Sequence, residues 1–343
     1  MRAFVITGPH EASVQEVREP EAGPGQVVVE VVRAGVCGTD VEFFTGTMPY
    51  LHDGQASYPI RIGHEWCGHV AVLGEGVDSS WEGAFVTGDT MLGCGRCDRC
   101  RSGRHHVCEE RHEVGVRRGW HGALAERLLV PASSLKRLPD GMAPMAAALV
   151  EPGGSAVRAI EAAAVRSGSR LCVWGAGTLG LLTLQFAIAG GVEVDVVDPR
   201  PTSRALALEL GAREALSPGD ALGAGYDAMI DMSVGSDVPA CAVEEVEPAG
   251  RVVLVGLAPT PSMLDTRRAV LRDVTVVGIL AASAGLERAI ELLAGGRIRV
   301  EPLVAATVGL DEVADVLGGL IGSPSGAPKF LVNPGGRGEE RSV

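Results

Sequence analysis

The sequence predicts a two-domain α/β chain: a β-rich first half, then a doubly wound parallel sheet. Three observations predict it. From Pro152 onward, strand-like apolar runs alternate with helix-like ones, the pattern of a parallel sheet covered on both faces. Residues 175–180 read GAGTLG, a glycine loop between one such strand and its helix. And 343 residues, 46% of them apolar, fit two cores better than one.

In chain order, residues 1–35 alternate apolar and polar, and VVVEVVRAG (27–35) reads as a strand after the turn EAGPGQ. Residues 36–150 are irregular, rich in glycine, and hold nearly all the histidines. Beyond Pro152, RLCVWGAG, VEVDVVD, DAMIDMS, RVVLVGL and VTVVGIL read as strands. LGLLTLQFAIAGG and RPTSRALALELGA read as helices, and GLERAIELLAGG (285–296) as an amphipathic one. GGRGEERSV at the end reads as a disordered tail, 335–343.

The net charge of -13 argues against nucleic-acid binding. The N-terminus carries no signal-peptide pattern, so the expected location is the cytoplasm, where cysteines stay reduced. Residues 171–192 are uncharged over a length that could cross a bilayer. Five glycines within that run favour a buried strand followed by a buried helix.

GAGTLG matches G-x-G-x-x-G, in the context the motif needs. Gly175 permits the tight turn, Gly177 lets a pyrophosphate approach, and Gly180 lets helix pack on strand. Thr178 and Leu179 complete a helix N-terminus with free N–H groups for phosphate. Asp198 ends the next strand, where a carboxylate binds a ribose diol and repels a 2′-phosphate. NAD is therefore expected over NADP, with Arg200 and Arg204 near enough to reduce the contrast.

Cys94, Cys97, Cys100 and Cys108 have the spacing C-x2-C-x2-C-x7-C. Four soft thiolates suit a closed, structural tetrahedral zinc; an iron–sulfur cluster is the competitor that a cysteine count leaves open. A closed zinc cannot take substrate, so chemistry is expected elsewhere. Cys37 in GVCGTD and His64-Glu65 in GHEWCGH supply ligands of three chemical types for an open, catalytic zinc.

These motifs, with HGALAER (121–127) and LVEP (149–152), resemble the zinc-dependent medium-chain alcohol dehydrogenases over essentially the whole chain. The resemblance implies a GroES-like catalytic domain (1–151), a Rossmann NAD-binding domain (152–284) and a return to the catalytic domain (285–334). It implies that Cys37 and His64 bind the catalytic zinc, with Glu65 or Glu151 as the acidic ligand, as in the polyol branch. Thr39 resembles the hydroxyl that passes the substrate proton outward, and Asp40 the acid that orients the zinc histidine. Where some members carry a relay histidine this chain has Glu42, similar to the acid that faces the sugar in zinc glucose dehydrogenases. GHEW is similar to aminocyclitol dehydrogenases.

The implied reaction is hydride exchange between NAD(H) and a secondary alcohol or ketone: a polyol, sugar or cyclitol. Two zinc ions per chain and a homodimer or homotetramer are implied with it. The ligand set argues against a zinc-free quinone or enoyl reductase and against a non-catalytic NAD-binding protein. Glu151 in place of a cysteine argues against a primary-alcohol dehydrogenase.

Overall fold

The structure is a computed structural model and describes residues 1–336. The chain divides into two compact units. The first takes in Met1–Glu151, Val304–Pro324 and the strand that begins at Lys329; the second takes in Pro152–Leu303 and Ser325–Pro328.

A seven-stranded sheet organises the first unit. At its centre lies Gln26–Gly35, the valine-rich run whose β-branched side chains suit a buried pleat. It pairs antiparallel with Glu65–Leu73, with Arg127–Pro131 and with the C-terminal strand Lys329–Asn333. That last strand in turn pairs parallel with Val304–Gly309. Phe4, Phe43, Trp66 and Leu124 are fully buried in the core that these strands cover.

The second unit is a six-stranded sheet. Its order is Glu214–Leu216, Glu193–Val197, Arg170–Trp174, Ala228–Asp231, Arg251–Leu254, Thr275–Gly278, and every pair is parallel. The uncharged run resolves into the strand Arg170–Trp174, the glycine loop and the helix Thr178–Ala189. Among the described residues no helix is long and apolar enough to cross a membrane.

The return to the first unit differs from expectation. It begins at Val304, not at residue 285. The helix Leu286–Ala294 belongs to the second unit: of its buried stripe, Ala289 and Leu293 lie against Gly153 and Leu286 against Gly154. The tail expected at 335–343 lies, from residue 337, outside the described residues.

Candidate active site

The first ligand segment is built at the end of the central strand. Cys37 is the N-cap of the helix Gly38–Thr45, and Asp40 in its first turn accepts a hydrogen bond from the Cys37 N–H at 2.9 Å. The other oxygen of Asp40 accepts from the Gly63 N–H at 3.2 Å. One fully buried carboxylate thus ties down the backbone beside Cys37 and the backbone beside His64. It stands 3.9 Å from His64 Nδ1, beyond hydrogen-bond reach. Asp40 thus bonds both main chains, and its charge bears on the imidazole it was expected to orient without a hydrogen bond to it.

Glu65 opens the neighbouring strand, directly opposite Gly35. A Cβ at position 35 would lie 2.0 Å from Glu65 Oε2, so only glycine leaves room for the carboxylate. Lys329 Nζ meets that carboxylate, donating to Oε1 at 2.8 Å, to Oε2 at 2.6 Å and to the Val36 carbonyl at 2.9 Å. Both side chains are sealed from water. Burial lowers the lysine's pKa, but the charges of Glu65, Cys37 and Asp40 outweigh it and leave it above its usual value. Sequence reasoning missed Lys329. Its one signal was composition: the chain has just two lysines, Lys136 and Lys329, and the second falls within the apolar run APKFLV.

Cys37, His64 and Glu65 each bring one ligand atom to a common point, all within 4.8 Å of one another. Glu151 lies outside that group but is buried close to it, and burial pushes its carboxyl up to about 7 against the pull of His64. Burial would lower the His64 pKa, yet Cys37, Asp40 and Glu151 drive it well above the ordinary value. The site therefore draws positive charge, and Lys329 is set there against several acids. His64 Nδ1 is also buried without a hydrogen-bond partner, which is costly unless a ligand or ion meets it. A divalent metal with N, S and O ligands fits this donor set. Thr39 is half-buried in the first helical turn; one turn on, burial raises the carboxyl of Glu42 above its usual value.

The four-cysteine lobe has a different character. All four Sγ atoms lie within 4.8 Å of one another, with Cys97–Cys108 at 3.8 Å and Cys94–Cys100 at 4.0 Å. A zinc–sulfur bond of about 2.3 Å sets the edge of a ZnS4 tetrahedron at about 3.8 Å. The sulfurs are too far apart for disulfides, whose bond is about 2.05 Å. They converge as a single ion requires, which favours zinc over a multi-iron cluster. N–H groups of Arg96 and Cys97 aimed at Cys94 bring its thiol down to about 6, so the thiolate is ready to bind.

In the second unit the glycine loop has the expected shape. Gly175 has φ +96°, which favours glycine, and a Cβ on Gly180 would collide with the Gly175 carbonyl at 1.8 Å. Gly177 is the N-cap of the following helix, and space is open where its Cβ would be. The Leu181 N–H bonds the Gly177 carbonyl, which leaves the N–H groups of Thr178, Leu179 and Gly180 at the free end of the helix. Asp198 is buried and accepts from the Ala176 N–H at 2.8 Å and the Arg200 N–H at 2.9 Å. Burial raises its carboxyl, but these bonds and the Arg200 guanidinium outweigh it and hold the pKa below the usual value. The exposed Arg200 side chain folds back on Asp198 at 3.1 Å, and Arg204 donates to the Asp198 carbonyl.

Two family models match the chain: the alcohol dehydrogenase GroES-like domain over residues 23–140, and the zinc-binding dehydrogenase model over residues 178–295. The L-threonine 3-dehydrogenase of Pyrococcus abyssi is 31% identical over 319 residues, covering 89% of this chain and 90% of the relative. The chain belongs to the zinc-dependent medium-chain alcohol dehydrogenases. The 2-dehydro-3-deoxy-L-galactonate 5-dehydrogenase of Pseudoalteromonas atlantica is 30% identical, covering 90% of this chain and 91% of the relative. Among solved structures, an alcohol dehydrogenase from Escherichia coli CFT073 complexed with NADH superposes with TM-score 0.89 at 27% identity, covering 97% and 99% of the two chains. A zinc-binding dehydrogenase from Sinorhizobium meliloti bound to NADP does so with TM-score 0.89 at 29% identity, with the same coverage. The two units are thus GroES-like and Rossmann-like, and this dehydrogenase is an oxidoreductase that works on small molecules with NAD(P).

Two outcomes are expected of variants in the first unit. Lys329→Met leaves Glu65 buried without its counter-charge and should destabilise the fold by about 3–5 kcal/mol, with partial recovery in Lys329→Arg; denaturation midpoints check this. Cys100→Ser should remove one zinc per chain and lower the thermal midpoint while dinucleotide binding persists, read by metal analysis and cofactor titration.

Proposed function

We propose that this dehydrogenase interconverts a secondary alcohol and its ketone with NAD(H), at an open zinc site held by Cys37, His64 and one of the acids Glu65 and Glu151. The convergence of Cys37, His64 and Glu65 carries the reading. A second, structural zinc belongs to Cys94, Cys97, Cys100 and Cys108. When bound, the catalytic zinc supplies Lewis-acid polarisation of an alcohol oxygen and the dinucleotide supplies a hydride acceptor.

The chain's own residues do the rest. Asp40 fixes the two backbones that present Cys37 and His64. Lys329 holds the Glu65 carboxylate in place, while Glu151, with its carboxyl raised to about 7, is the acid able to exchange a proton or a ligand position. Thr39 passes the alcohol proton outward. Glu42 faces the substrate and favours one with several hydroxyls.

Polyols, sugars and cyclitols are the substrate class proposed. The relatives act on polar alcohols: by their names, on L-threonine, on 2-dehydro-3-deoxy-L-galactonate and, for a solved E. coli structure at 25% identity, on galactitol 1-phosphate. The working form is a homodimer or homotetramer in the cytoplasm.

Solved relatives hold both NADH and NADP, so the choice rests on the ribose end of this chain. Asp198 favours NAD by repelling a 2′-phosphate. Wild type should show the higher kcat/KM with NAD, and Asp198→Ser should narrow or reverse the preference through Arg200 and Arg204. A wild-type preference for NADP would refute the assignment.

Cys37→Ala should lose the catalytic zinc, keep the lobe zinc and abolish alcohol oxidation while NAD still binds. Glu151→Gln should retain more metal and lose turnover only in part. Zinc stoichiometry measured beside activity decides; one zinc per chain with normal turnover in the wild type defeats the mechanism.

A further inference from the structure

Among the described residues, one buried cation in the first unit has no counter-charge. Arg117 is 8% exposed, yet no carboxylate among the described residues pairs with it. Its Nη1 donates to the Arg111 carbonyl at 3.1 Å, and its Nε is buried with no hydrogen-bond partner at all. The nearby carboxylate is already engaged. Glu113 accepts from Arg111 Nε at 2.8 Å and from the Tyr50 hydroxyl at 3.3 Å, and Arg111 donates in turn to that hydroxyl at 3.3 Å. Of the two neighbouring guanidinium groups only that of Arg111 meets the acid, in a chain whose overall net charge is -13.

Burying a charge without a partner costs several kcal/mol. The Tyr50 ring, 5.7 Å from the Arg117 guanidinium carbon, offsets little of that. A cation kept in this state is most economically explained by an anion that joins it on binding.

The placement suits a substrate. Arg117 sits on the turn after His112–Glu113, where Gly115 packs so tightly on Gly63 that a Cβ would come within 2.6 Å of its carbonyl. Gly63 immediately precedes His64. On the other side, the Arg118 N–H donates to the Gln55 carbonyl at 2.7 Å, and Tyr50 belongs to the short helix that follows the one bearing Thr39 and Glu42. The turn that holds Arg117 thus joins the His64 strand to the loop after the Cys37 helix.

We propose that Arg117 anchors an oxyanion subsite, so that the preferred alcohol carries a carboxylate or phosphate remote from its reacting carbon. This rests on the dehydrogenase reading above and narrows its substrate class. Arg111 is the positioning residue: it occupies Glu113 and so keeps that acid from neutralising Arg117.

The test compares matched alcohols, neutral, carboxylate and phosphate: D-glucitol, D-gluconate and D-glucitol 6-phosphate, and the corresponding galactitol series. The zinc-loaded full chain should favour an anionic member over its neutral parent, chiefly through KM, and whichever anion wins identifies the source. In Arg117→Met the anionic-to-neutral ratio of kcat/KM should fall by roughly 10²-fold or more. A wild type that prefers the neutral alcohols, or a variant in which both classes fall by one factor, overturns the subsite.

Titration calorimetry of the wild type and Arg117→Lys with malonate and with inorganic phosphate gives a readout free of turnover, usable if Arg117→Met does not fold. Binding of either anion by the wild type, weakened in Arg117→Lys by loss of the planar fork, supports the proposal. Absence of binding by the wild type rejects it. Anion binding without oxidation of any alcohol would leave the subsite standing and fail the dehydrogenase reading alone.

Discussion

The ion pair between Glu65 and Lys329 is the constraint around which the first unit is arranged. Removing an ammonium and a carboxylate from water is expensive, and the pair survives burial only because both carboxylate oxygens and a main-chain carbonyl meet the same nitrogen. That geometry dictates its surroundings. It requires glycine at position 35, where any side chain would strike the carboxylate. It requires the C-terminal strand to reach the central strand in one register, Leu331 against Gly35. And it fixes the start of the strand that His64 immediately precedes.

The two ligand clusters of the first unit solve different problems. The four cysteines come from a single stretch of fifteen residues, 94–108, so local turns suffice to bring them together. The Cys37, His64 and Glu65 cluster draws on two separate segments, and charges from two more, Glu151 and Lys329, bear on it. The first arrangement is closed and uniform in sulfur; the second mixes ligand types among buried acids. Asp40 links the segments of the second without touching the ligand atoms, by bonding main-chain N–H groups on both sides.

What could be read in advance was what depends on short spacing. GAGTLG between strand and helix, the cysteine run, and GVCGTD and GHE each place their residues through neighbours a few positions away. The alternation of elements after Pro152 gave the parallel sheet for the same reason. What depends on register across the chain could not be read. Nothing near Lys329 in the sequence points to Glu65, because their meeting depends on which strands pair. Nothing in the sequence separates Arg117 from its neighbour Arg118, yet the turn around Gly115 buries the first and leaves the second exposed. The helix Leu286–Ala294 has an amphipathic pattern that announces a buried face but not its partner, so the boundary expected at 285 shifted to Val304.

The returning strand also sets a schedule for the chain as it is made. Glu65 and Lys329 are 264 positions apart. At about 5–20 residues per second of synthesis, roughly 13–50 s separate their appearance. Throughout that interval the whole second unit is translated, and its parallel sheet needs nothing from beyond Pro328. The Rossmann unit can therefore fold while the ribosome still holds the last strand, whereas the unit that begins the chain is the one completed last. Until then Glu65 must stay hydrated, so the Cys37, His64 and Glu65 cluster stays open to solvent until the strand of Lys329 arrives.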